Sequence, residues 1–212
     1  DSYNSLVDKL PEDETLAASV KKNTDSLNEQ GYCELGKIFT DQECEDFCRN
    51  LENKICFDSQ TPMQSSAAIK FTPPIANSHN YKNAYLSFLP DTTLQFRPLR
   101  EFLASNELNA IIRRYLKFDA EIYNCVTWYN PKCDLGHYVH RKHRDYDDYR
   151  FLVLIVYWSN VGSGATRYVK GSHKSLVNIG EEIHLTGKKG EAYLLDFFGL
   201  HSGGKITDNE LQ

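Results

Sequence analysis

Hydrophobic positions recur at helical spacing through the first half of this chain and in strand-length runs through the second. Thr15-Leu-Ala-Ala-Ser-Val-Lys-Lys22, preceded by Pro11 and the acidic Glu12, Asp13 and Glu14, predicts a helix in an N-terminal preface spanning 1–30. Gly31 ends it, and Tyr32 to Leu35 reads as a short strand. Thr40-Asp-Gln-Glu43 has capping-box spacing and opens a helix over Cys44 to Leu51. Phe57 to Pro90 breaks the pattern with Pro62, Pro73, Pro74 and Pro90, so a long loop is expected, of the kind that is functional or mobile in a domain of this size. Leu94 to Lys117 predicts two helices, with Ser105 as an N-cap and Ile111, Ile112, Tyr115 and Leu116 as an apolar stripe facing a sheet.

From Glu121 onward the period changes to two. Ile122, Asn124, Val126 and Trp128 alternate with Tyr123, Cys125, Thr127 and Tyr129, predicting a strand over 121–129. If the face with Ile122 and Val126 points inward, Asn124 becomes a buried amide needing partners, which backbone, water or a ligand could supply. Phe151 to Trp158, Ala165 to Val169 and Glu191 to Phe197 read as further strands, with Val161-Gly-Ser-Gly164 as a turn between the first two.

Composition adds limits. A chain of 212 residues is expected to form one domain around a sizeable core. Its 12% aromatic content, with Tyr 13 and Phe 11, suits a mainly β protein with flanking helices. A net charge of −5 and a pI near 5.8 argue against a nucleic-acid-binding surface. No apolar run approaches the roughly 18 residues a membrane helix needs, and no signal peptide is visible at Asp1. The cysteines, Cys33, Cys44, Cys48, Cys56, Cys125 and Cys133, lack paired spacing, so they are expected to be reduced, in the cytoplasm or another reducing compartment.

The chemistry concentrates at His143-Arg144-Asp145. In extended backbone, residues i and i+2 share a face, so His143 and Asp145 can converge on one ion while Arg144 turns away. His201, just beyond the 191–197 run, supplies a third donor. Two His and one carboxylate with open coordination positions are the facial triad of non-haem Fe(II) oxygenases. His137 and His140 crowd the same approach and are read as pocket or surface groups, since His140 and His143 would need a helical turn to share a zinc ion. Arg141, Lys142, Arg144, Tyr149 and Arg150 are either an anion-binding surface or a solvated charged face.

The order of these blocks, His143-Arg-Asp145, then Gly164-Ala-Thr-Arg-Tyr-Val-Lys-Gly-Ser-His-Lys174, then Gly190-Glu-Ala-Tyr-Leu-Leu-Asp196 leading to His201-Ser-Gly-Gly204, resembles the phytanoyl-CoA dioxygenase family. The resemblance covers about Gly31 to the C-terminus. It implies a double-stranded β-helix (jelly roll, cupin-like) at 31–212, with Fe(II) on His143, Asp145 and His201, 2-oxoglutarate as cosubstrate, and O2. Asn124 and Ser202 are then assigned to the cosubstrate, Tyr149 and Arg167 to a small-molecule or carrier-tethered substrate, and 57–90 to a lid that includes His79. His173 matches a turn-shaping position and His184 a surface loop. The implied reaction is hydroxylation of an unactivated C–H bond coupled to release of succinate and CO2; a carboxylate at 145 leaves no vacancy for the chloride that related halogenases bind.

Two departures stand out. Lys170 replaces the usual Pro, and no Arg follows His201 where the family places one for the far carboxylate of 2-oxoglutarate. A guanidinium suits that bidentate role and Lys205 does not, so the sequence is expected to be part of a longer protein. A zinc or manganese hydrolase using the same ligands, and a non-catalytic jelly-roll binding domain, are the alternatives.

Overall fold

The computed structural model describes residues 14–58, 68–72, 86–130, 140–146, 150–177 and 180–204. Within them lie three antiparallel sheets and five α-helices. Helix α1 spans Glu14–Gln30 and stops at Gly31, whose φ of +85° suits glycine at a helix end. Strand β1 (Tyr32–Lys37) follows, then α2 (Asp41–Leu51). The capping box is formed in full: Thr40 Oγ1 accepts from Glu43 N at 3.2 Å, and Glu43 Oε2 accepts from Thr40 N at 2.8 Å. Thr40→Ala is expected to cost about 1 kcal/mol in chemical denaturation without changing metal binding.

The segment read as a loop from 57 to 90 carries strands. Ile55–Phe57 (β2) pairs with Ala68–Lys70 (β3) and with Leu86–Phe88 (β4), and β4 pairs with Trp128–Tyr129 (β5), giving the order β3-β2-β4-β5. Each strand is only two or three residues long, too short to impress a period on the sequence. The intervening 59–67 and 73–85, with His79, lie outside the described residues. Helices α3 (Pro90–Leu94), α4 (Arg97–Leu103) and α5 (Asn106–Leu116) come next, and the Ser105 side chain caps α5 as expected.

The strand expected over 121–129 is corrected to Trp128–Tyr129 alone. Ile122 and Tyr123 are 61% and 63% exposed, and Asn124 is exposed, so the buried amide inferred from alternation is absent. Of the alternating residues only Thr127 is buried, packed against Thr93 with their hydroxyls 2.8 Å apart.

The remaining strands are β6 (Val153–Val156), β7 (Arg167–Val169), β8 (Glu182–His184), β9 (Glu191–Leu195) and β10 (His201–Ser202). One sheet runs β1-β9-β6 and another β10-β7-β8, the latter extended by a bridge between His143 and His201. In β1 and β9 successive side chains enter different cores, as period-two geometry requires. Cys33 and Leu194 meet Val20, Leu27, Leu108, Ile111 and Tyr115 of α1 and α5; Tyr32, Tyr193 and Leu195 meet Tyr168 and Leu185 of the facing sheet. Burial on both faces explains the unbroken apolar run from Ala192 to Leu195. A third core gathers α2 against the four-stranded sheet, with Trp158 stacked on Phe47 at 3.8 Å.

The described cysteines are all free thiols, and Cys133 lies outside the described residues. No described helix is long and apolar enough to cross a membrane.

Candidate metal centre

His143, Asp145 and His201 converge. Their ligand atoms lie within 4.8 Å of one another, and no other group of this kind occurs among the described residues. The strand pairing produces this: His143 and His201 exchange backbone hydrogen bonds, N to O, at 2.9 and 3.0 Å, so their side chains leave the same face. Asp145, two residues on, returns to that face.

Ring orientation is set by the backbone. His143 Nδ1 lies 2.8 Å from the Arg141 carbonyl and His201 Nδ1 lies 2.9 Å from the Gly199 carbonyl. A carbonyl only accepts, so each Nδ1 carries a proton, which leaves Nε2 as the ring atom able to give a lone pair to a metal ion. Those two Nε2 atoms stand 3.6 and 3.7 Å from the two oxygens of Asp145. Three donors spaced this way fit an ion held at about 2.0–2.2 Å from each, and both imidazoles already have the backbone partner that metal-bound histidines take.

Burial lowers the pKa of His201 to about 4, opposed by the Gly199 carbonyl and assisted by the neighbouring charges of His143 and Arg144. The imidazole is therefore neutral and ready to bind at neutral pH. Because its folded pKa lies below the unfolded value, the unfolded chain takes the proton first as pH falls. Stability from this group is complete above about pH 6.5 and is lost between there and about 4. For metal-free protein in chelator, the unfolding free energy is expected to fall by up to about 3 kcal/mol across that window, and His201→Gln should flatten the dependence.

The chain around the triad is bolted in ways the sequence did not announce. Arg144 does not belong to a solvated basic face. Its guanidinium donates to the carbonyls of Ser172 at 2.7 Å, Ser175 at 2.9 Å and Phe198, and lies 5.4 Å from the centre of the Phe198 ring. Arg150 likewise donates to the Tyr115 and Leu116 carbonyls at 3.1 and 3.2 Å, closing the C-terminus of α5. Phe197 stacks on the His201 ring at 3.9 Å, and its carbonyl accepts from Asp145 N at 3.0 Å. Ser172, within the Gly-Ser-His-Lys block, donates to the Val169 carbonyl and accepts from Leu200 N.

The other expected site residues are dispersed. Ser202 is buried and pairs with Arg167 across β10 and β7, so by register both lie on the face opposite His201. Arg167 Nε is buried with no hydrogen-bond partner among the described residues, while Glu182 feels its charge. Asn124 is exposed in the irregular stretch before β5. Tyr149 and His137 lie outside the described residues. A cavity of about 410 Å³, lined by Tyr115, Arg150, His173, Lys174, Asp196 and Phe198, does not include the triad.

No protein-family model matches the chain, and no curated protein matches it by sequence. Solved structures do match by fold. The non-heme alpha-ketoglutarate-dependent epimerase SnoN from nogalamycin biosynthesis superposes with a TM-score of 0.64 at 11% identity, covering 91% of this chain and 78% of SnoN. HygX from Streptomyces hygroscopicus, with nickel, 2-oxoglutarate and hygromycin B bound, gives 0.57 at 15% identity over 87% of this chain and 81% of HygX. EctD from S. alaskensis, with bound Fe, gives 0.53 at 17% identity over 94% of this chain and 75% of EctD. The fold is thus one on which iron- and 2-oxoglutarate-dependent enzymes are built.

Proposed function

We propose that this protein is an Fe(II)- and 2-oxoglutarate-dependent oxygenase of the phytanoyl-CoA dioxygenase type, hydroxylating a small-molecule or carrier-tethered metabolite on a double-stranded β-helix. The observation that carries the reading is the convergence of His143, Asp145 and His201 with both Nε2 atoms turned to one carboxylate and both Nδ1 atoms engaged by carbonyls. Iron bound there would supply oxidative decarboxylation of 2-oxoglutarate and oxidation of a C–H bond. The residues of the chain do the rest. His143 and His201 would give nitrogen donors and Asp145 an oxygen donor whose charge offsets that of the ion, a three-residue set that would leave room for the two cosubstrates. Phe197 covers one face of the His201 ring, which limits the access of water to that ligand.

The fold neighbours support iron and 2-oxoglutarate; their named reactions include an epimerase and a carbocyclase, so hydroxylation rests on the sequence resemblance, the carboxylate at 145 excluding only halogenation. The test is aerobic incubation with Fe(II), 2-oxoglutarate and ascorbate as the reductant in place of substrate, following 2-oxoglutarate-dependent O2 uptake and succinate release with and without chelator. Equal amounts of O2 consumed and succinate formed, both abolished by chelator, are expected. Metal binding with no 2-oxoglutarate-dependent uptake would favour the hydrolase alternative.

A further inference from the structure

The connection between β9 and β10, 196–200, orients two of the three proposed ligands. Its Phe197 carbonyl accepts the Asp145 N–H, its Phe197 ring stacks on His201, and its Gly199 carbonyl holds His201 Nδ1 at 2.9 Å. A loop that aims metal ligands must itself be fixed, and the fixing group is the first residue of the loop. Asp196 Oδ1 accepts from Phe198 N at 2.9 Å, which closes the turn from within. Asp196 Oδ2 accepts from the Tyr115 hydroxyl at 2.7 Å, which ties the turn to helix α5. The Asp196 backbone is also anchored, donating to the Gly31 carbonyl at 2.8 Å and accepting from the Tyr168 hydroxyl at 2.8 Å.

We propose that Asp196, braced by Tyr115, is a positioning residue of the metal centre: its carboxylate holds the turn that presents Phe197 to Asp145 and to His201. Neither residue is among the ligands, so both act through the loop. Burial and the facing carboxylate raise the Tyr115 hydroxyl far above its ordinary range, which keeps it a donor to Asp196 at every working pH. Outer partners of metal ligands commonly change metal affinity by about 10–100-fold when removed. Asp196 stands one step further out, yet its loop touches two ligands at once. The proposal rests on the oxygenase reading for the identity of the centre, and its test separates the two.

The experiment is anaerobic Co(II) titration of the purified protein, read by calorimetry and by the visible ligand-field spectrum, for wild type, Asp196→Ala, Asp196→Asn, Tyr115→Phe and Leu99→Ala. Leu99 is buried in the core beside the four-stranded sheet and serves as a stability control. Asp196→Ala is expected to weaken Co(II) binding by about 10-fold or more and to alter the spectrum, with Tyr115→Phe giving a smaller loss in the same direction. Asp196→Asn keeps an oxygen for Phe198 N and should recover most of the affinity. Leu99→Ala should lower the melting temperature with affinity and spectrum unchanged. If Asp196→Ala does not fold, Tyr115→Phe decides, since it removes the brace and leaves the carboxylate in place. Wild-type affinity and spectrum in Asp196→Ala and Tyr115→Phe would overturn the positioning role while leaving the metal centre intact. Failure of the wild type to bind Co(II) would overturn the centre, and this inference with it.

Discussion

On the proposed oxygenase reading, Asp145→Ala is expected to abolish 2-oxoglutarate turnover while leaving the metal-free fold in place. The carboxylate is the acidic member of the three proposed ligands, and it faces both imidazoles across 3.6 and 3.7 Å. Removing it takes away one bond to the ion and the charge that offsets the ion, so the loss should exceed the roughly 10–100-fold typical of outer partners. The side chain is 31% exposed and its truncation opens no sealed cavity, so thermal unfolding in chelator should change by less than about 1 kcal/mol. Succinate release, Fe(II) affinity and chelator-treated unfolding together check this. Retained turnover would remove Asp145 from the centre.

Arg144→Met will lower stability by about 3 kcal/mol. Three carbonyls, those of Ser172, Ser175 and Phe198, receive charge-assisted hydrogen bonds from this one guanidinium. A charged hydrogen bond contributes about 1.5–3 kcal/mol; bonds sharing one donor group do not add, and the site is partly open to water. In a domain of this size that corresponds to roughly 6–12 °C in melting temperature. Methionine keeps most of the apolar stem, so the change removes the guanidinium, with its donors and its contact to the Phe198 ring, and little else. Arg144→Lys should fall between, since one ammonium cannot match the fork of a guanidinium. A loss below about 1 kcal/mol in Arg144→Met would show that water replaces the clamp at no cost.

The parts of this molecule that were legible in the sequence are those fixed locally. The α2 capping box is a four-residue pattern, and it forms as read, with Thr40 and Glu43 exchanging bonds. Ser105 caps α5, and Ile111, Tyr115 and Leu116 are buried as their spacing requires. His143 and Asp145 were legible because period-two geometry alone brings them together, and His201 because it ends an apolar run. What failed depended on pairing across long separations. Alternation over 121–127 looks like a strand, but alternation does not supply a neighbouring strand, and Ile122 and Tyr123 remain exposed. The strands β2, β3 and β4 were hidden for the converse reason: three residues each, they exist because they pair with one another. Asp196 and Tyr115 lie 81 positions apart, and Arg144 reaches carbonyls whose identity no side-chain pattern encodes. Of the residues assigned to cosubstrate and substrate, Asn124 is exposed in the stretch before β5, and backbone register places Ser202 and Arg167 on the face away from His201.

The most direct measurement of the central claim is anaerobic Fe(II) titration in the presence and absence of 2-oxoglutarate, followed in the visible region. A chelated oxoacid on Fe(II) gives a weak metal-to-ligand charge-transfer band, which should appear only when both are present and should vanish in His143→Ala. Fe(II) binding with no such band at saturating 2-oxoglutarate would contradict the oxygenase account and leave a metal site with a different chemistry.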